Sequence, residues 1–66
     1  MQIVVNGESR DVPPGTSLGE LIASLRLEPR RVAVERNRRL VPRSVHHQTL
    51  LNERDELEIV TLVGGG

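Results

Sequence analysis

Three consecutive glycines, Gly64-Gly65-Gly66, follow the apolar run Leu57-Glu58-Ile59-Val60-Thr61-Leu62-Val63. They make an unhindered glycine carboxylate the last functional group of the sequence. Glycine is about 7% of average composition, so a triplet at one chosen place arises by chance in roughly three or four chains in ten thousand. The plainer reading is a frayed terminus. A carboxylate resists nucleophilic attack because its charge is delocalised and its oxygen leaves poorly, so acyl chemistry requires conversion to a mixed anhydride. Triphosphate charge in such a step needs metal and basic groups, which a 66-residue chain does not visibly supply; a partner enzyme must bring them. Glycine has no Cβ, so the acyl carbon can enter a narrow channel and take backbone angles closed to other residues. Extended, residues 63–66 reach at most about 13–14 Å, at roughly 3.3–3.6 Å per residue. Ordering each of them costs about 1–2 kcal/mol, so affinity for a partner has to come mainly from the folded body.

Other residues invite chemistry less strongly. His46-His47 suggests a metal or a general base, but adjacent side chains in an extended segment point apart and no acidic or thiol cluster completes a ligand set. Two solvent-facing histidines and no metal site are expected. Asp55, Glu56 and Glu58 read as turn and surface residues, with nothing to suggest a pocket or a pair of catalytic carboxylates. Arg30-Arg31 and Arg38-Arg39 could meet phosphates, yet base stacking needs aromatic side chains and the sequence contains no Phe, Trp or Tyr. The better default is a solvated or partner-docking face, with no nucleic-acid partner.

Nine Arg balance nine acids, and there is no Lys. The distribution is uneven: residues 26–43 hold seven Arg against two acids, whereas residues 44–66 hold four acids against one Arg. Such asymmetry can orient a protein partner through complementary potentials. Without cysteine there is no disulfide framework and no thiol nucleophile, which fits a reducing compartment. No apolar segment is long enough to span a bilayer and no secretory signal is visible, so the expectation is a cytoplasmic protein with no membrane partner.

The elements that position the glycines can be read in turn. Gln2-Ile3-Val4-Val5 is a β-branched run, Asn6-Gly7 a hairpin turn, and residues 8–12 a more polar returning strand. Ser17 with Glu20 three places on forms a capping box. Leu18, Leu21, Ile22 and Leu25 then follow at i, i+3, i+4 and i+7, the apolar stripe of a helix that Pro29 ends. Residues 32–36 and 39–41 read as two strands about an Asn37-Arg38 turn, the second closed by Pro42. Residues 43–52 lack a firm period and predict a surface connection with at most one helical turn. Residues 52–55 supply turn chemistry, and a last strand runs from about residue 56 to 62.

The most apolar strands belong in a sheet's interior and the polar or Pro-closed ones at its margins. The order β-β-α-β-β-β therefore predicts an α+β chain with a mixed sheet: first and last strands central and parallel, one main helix packed on one face. This is the β-grasp, ubiquitin-like arrangement, here expected as a single domain over residues 1–63 with a flexible glycine tail over 64–66. The core must come from Val, Ile and Leu, twenty-one residues in all. If Leu57 and Ile59 point inward, Val60 and Leu62 face the other way as possible docking residues; taken singly, each also fits an ordinary strand residue.

Over essentially its whole length the sequence resembles the ThiS family of sulfur carriers in thiamine biosynthesis. The resemblance rests on the Asn6-Gly7 hairpin, the capped helix with Leu21-Ile22 at its middle, Val34-Glu35-Arg36-Asn37, Val41-Pro42-Arg43, and Asp55-Glu56-Leu57-Glu58-Ile59-Val60 leading to the glycines. Many relatives carry an aromatic near the position of Leu62, which this chain lacks.

The resemblance implies a protein cosubstrate, not an enzyme. It implies that a ThiF-like adenylating enzyme transfers AMP from MgATP to the Gly66 carboxylate, and that sulfur from a cysteine desulfurase system converts the adenylate to a thiocarboxylate. Sulfur then passes to a ThiG-like thiazole synthase. Val63, Gly64 and Gly65 would thread into partner active sites, and no cofactor would be held by the chain itself. Rival readings are a carrier of the small-subunit molybdopterin synthase type, a ubiquitin-like modifier, and a small Arg-rich binding module in which the glycines are dispensable.

Overall fold

The computed structural model describes residues 1–62. The expectations that fall on Val63, Gly64, Gly65 and Gly66, including the threaded tail, the modified carboxylate and the boundary between residues 63 and 64, lie outside the described residues. Five strands form one sheet: β1 (Gln2–Val5), β2 (Glu8–Asp11), β3 (Val32–Arg36), β4 (Arg39–Val41) and β5 (Glu56–Thr61), in the order β2-β1-β5-β3-β4. β1 runs parallel to β5, and β3 runs antiparallel to both β5 and β4. The apolar terminal strands are thus adjacent and interior, and the polar β2 and Pro-closed β4 take the edges, where unpaired backbone meets water. This is the β-grasp arrangement expected from the sequence.

Both hairpins turn through positive φ at two central residues, Asn6 (50°) with Gly7 (83°) and Asn37 (51°) with Arg38 (70°). That is the two-residue turn whose twist suits paired strands. Asn and Gly enter the left-handed region readily, whereas Arg38 does so at a steric cost.

The α-helix, α1 (Leu18–Ser24), starts at the predicted capping box: Ser17 Oγ accepts from Glu20 N at 3.1 Å and Glu20 Oε1 accepts from Ser17 N at 2.8 Å. It ends before Pro29 acts. Leu25 is the C-cap, Arg26 adopts φ 59°, and the Arg26 and Leu27 amides return to Ala23 O and Ile22 O. That is a Schellman closure with arginine in the place glycine usually takes. Leu18, Leu21 and Ile22 pack against Ile3, Val5, Val32, Val34, Leu57 and Ile59, while Leu25 and Leu27 cover the rim. Side chains alternate along β5, with Leu57 and Ile59 buried and Glu56, Glu58 and Val60 outward, the period-two consequence of the pleat.

Three expectations need correction. Residues 43–52 are more than a surface connection: Arg43–Gln48 form a six-residue 3-10 helix, about two turns at three residues each. His46 does not face solvent. It is 5% exposed and its Nε2 lies 2.9 Å from Val41 O, because the 3-10 helix lays this face over α1; His47 is exposed as expected. Asp55 is likewise buried. Its carboxylate accepts from Asn52 N at 2.7 Å, Asn37 Nδ2 at 3.1 Å and Arg36 Nε at 2.9 Å, tying the turn before β5 to the β3–β4 hairpin.

Candidate functional site: the pole where β5 ends

β5 carries the chain toward residue 63, and both its flanks are held close to that point. On one flank, Thr61 pairs with Val32, Val60 with Ala33, and Leu62 N donates to Arg31 O at 2.6 Å. On the other flank β1 has already ended, and Asn6 continues its ladder with a side chain. Asn6 Oδ1 accepts from Ile59 N at 2.8 Å and Asn6 Nδ2 donates to Ile59 O at 3.1 Å. A planar amide offers one donor and one acceptor at the spacing of a peptide group, so Asn6 stands in for a further strand residue. The root of the terminal segment is therefore part of the sheet up to Leu62.

The face of the sheet away from α1 is open. Val60 is 55% and Leu62 49% exposed, so both expected docking residues present apolar surface beside the chain's exit, next to the half-buried Ala33. Sequence reasoning missed Leu40, the most exposed large apolar residue at 68%. It lies opposite Glu35, which in turn faces Glu58. The two-residue Asn37-Arg38 turn fixes this pairing, so counting outward from that turn would have placed Leu40 on the outer face.

Elsewhere, Gly19, Ile22, Pro29, Arg43, His46 and His47 line a shallow cavity of about 200 Å³. Gly19 permits the close approach behind it, because a Cβ there would sit 3.1 Å from His47 Cα. His46 Nδ1 is buried without a hydrogen-bond partner among the described residues, while Nε2 faces Val41 O, a carbonyl that can only accept. Among the described residues no group of three or more His, Cys, Asp or Glu is placed to hold a metal, and no helix is long and apolar enough to cross a membrane.

Sheet order, parallel β1–β5 pairing and a capped helix across one face define a ubiquitin-like β-grasp module that extends its last strand toward a glycine terminus. The ThiS family model matches residues 3–66, and the chain belongs to the ThiS family. A sulfur carrier protein ThiS from Bacillus subtilis is 42% identical over 50 residues, 76% of each chain. The crystal structure of the thiamine biosynthesis protein ThiS from Geobacter metallireducens superposes with a TM-score of 0.84 at 28% identity, covering 100% of both chains. A thiazole synthase from Paramagnetospirillum magneticum is 42% identical over all 66 residues, and one from Magnetococcus marinus is 41% identical over the same span. The chain spans only 20% of the length of those two relatives.

Proposed function

We propose that this chain is the sulfur carrier of thiazole formation in thiamine biosynthesis, acting in the cytoplasm as a substrate of larger enzymes. The observation that carries the reading is the family match through residue 66, which takes in the glycine triplet as well as the folded body. The Bacillus subtilis sulfur carrier supports the class of chemistry. The two thiazole synthases, each containing a stretch similar to this entire chain, support the receiving enzyme.

The chemistry centres on Gly66. A carboxylate oxygen attacks the α-phosphorus of MgATP held by a ThiF-like partner, and pyrophosphate leaves. The terminal sulfur of a persulfide, supplied from cysteine by a desulfurase system, then attacks the acyl carbon and expels AMP to form an acyl disulfide, and a thiol reductant cleaves its S–S bond to release the thiocarboxylate that thiazole synthase consumes. Val63, Gly64 and Gly65 make the narrow approach to each active site. Val60 and Leu62 supply apolar docking area next to it, and the anchors at Asn6 and Arg31 keep the root of the segment in place while its end is handled.

The test is delivery. The thiocarboxylated chain, mixed separately with thiazole synthase and with the large subunit of molybdopterin synthase, is expected to lose its sulfur to the former under turnover. Transfer to the molybdopterin enzyme alone would overturn the thiamine assignment.

A further inference from the structure

The pole at which β5 ends gathers arginines whose side chains make no ion pair among the described residues. Arg30 and Arg31 belong to a short 3-10 turn (Pro29–Arg31) leading into β3, and the Arg31 carbonyl is the group that holds Leu62 N. Arg43 opens the second 3-10 helix, and with Pro29 it lines the same shallow cavity. All three are exposed. The ion pair found among the described residues, Arg36 with Asp55, lies at the opposite end of the sheet. Glu28 is the one acid in the adjoining turn. Glu35 and Glu58 pair with each other on the outer face, two residues further from the exit than the Ala33–Val60 pair. Three arginines against one glutamate leave a local surplus of positive charge whose self-repulsion gains the folded state nothing.

We propose that Arg30, Arg31 and Arg43 form a basic collar around the root of the terminal segment, and that this collar docks on an acidic protein rim surrounding the active-site mouth of the adenylating enzyme. The inference rests on the carrier reading given above. The segment beyond Leu62 reaches only about 13–14 Å when extended, so an enzyme that takes residue 66 into a buried site must bring its surface against this pole. Ordering the segment opposes binding, and complementary charge at its root offsets that cost while steering the encounter. A nucleic acid is the weaker occupant, since the sequence contains no aromatic side chain to stack on bases and its net charge is zero.

The experiment measures pyrophosphate release by the adenylating enzyme of the same organism, with MgATP and either the wild-type chain or R30E/R31E/R43E, from low to high sodium chloride. At low salt the triple reversal lowers kcat/KM at least about tenfold with kcat near the wild-type value, because steering terms of about 10–10³ act on encounter. Salt brings the wild type down toward the variant as the charges are screened. R30K/R31K/R43K, which keeps the charge, retains the wild-type rate, and so does R38E/R54E, which reverses two arginines at the far pole. An unchanged kcat/KM for the triple reversal overturns the collar and leaves the carrier reading standing. No pyrophosphate release with the wild-type chain overturns the carrier reading and the collar with it.

Discussion

Asn6 and Arg38 occupy left-handed turn positions at opposite ends of the sheet, and the same substitution should move stability in opposite directions at the two sites. Asn6→Gly keeps the turn but removes both hydrogen bonds to Ile59, a loss of about 1–2 kcal/mol at the usual net worth of such bonds. Arg38→Gly removes a left-handed penalty of about 1–2 kcal/mol and loses part of that gain to glycine's larger unfolded-state entropy. The expected net is about 0.5–1 kcal/mol of stabilisation. Urea unfolding of the two variants checks both signs, and destabilisation by Arg38→Gly would refute the strain argument. The Asn6-Gly7 turn was legible because those two residue types name their own backbone conformation. The Asn6 bonds to β5 were not, since they join groups 53 positions apart. Asp55 was hidden for the same reason, as Asn37 and Arg36 lie 18 and 19 residues before it. Asp55→Ala leaves a guanidinium and two polar N–H groups without an acceptor, and should cost about 3 kcal/mol. That is enough to unfold a marginal domain of this size.

At the scale of elements, the apolar period did most of the prediction. Apolar runs and repeats located α1, β1, β3 and β5, whereas the capping box was read from Ser17 and Glu20, β2 from the Asn6-Gly7 turn, and β4 from the Asn37-Arg38 turn and Pro42. The 3-10 helix Arg43–Gln48 left no such mark: its inward side holds one buried histidine, the half-buried Val45 and, at the C-cap, the half-buried Thr49, which make no apolar repeat. Helix α1 has only seven residues, too short to persist without its cap and its packing. Ser17→Ala should therefore cost about 1 kcal/mol, lowering the thermal midpoint by about 4–8 °C for a domain this small. The two faces of β5 separate folding from docking. Leu57→Ala empties a fully buried site and should cost about 2–5 kcal/mol. The double change Val60→Ala with Leu62→Ala touches exposed surface, and should leave the urea midpoint within the range of ordinary surface substitutions, about 0.5 kcal/mol. The same double variant should raise KM for the adenylating enzyme; an unchanged KM would remove these two residues from the docking surface.

The described residues form a small aliphatic body whose central strand leads toward the glycine triplet to which the proposed function assigns the chemistry. Its sheet order was legible because the polarity of each strand dictates its distance from the edge. The basic pole was only half legible. The sequence showed the excess of arginine between residues 26 and 43, but the fold alone divides it, sending Arg30, Arg31 and Arg43 to the exit of β5 while Arg36, paired with Asp55, and Arg38 in the β3–β4 turn go to the far end. On the proposed function, this body presents one terminal acyl group to larger enzymes. Intact-mass analysis tests it most directly, after incubation of the chain with the adenylating enzyme, MgATP and a cysteine-derived sulfur source. A mass increase equal to sulfur replacing one oxygen is expected, located at Gly66 by fragmentation and absent when Gly66 is deleted. An unchanged mass under conditions that load an established carrier, or sulfur found anywhere but the last residue, would contradict it.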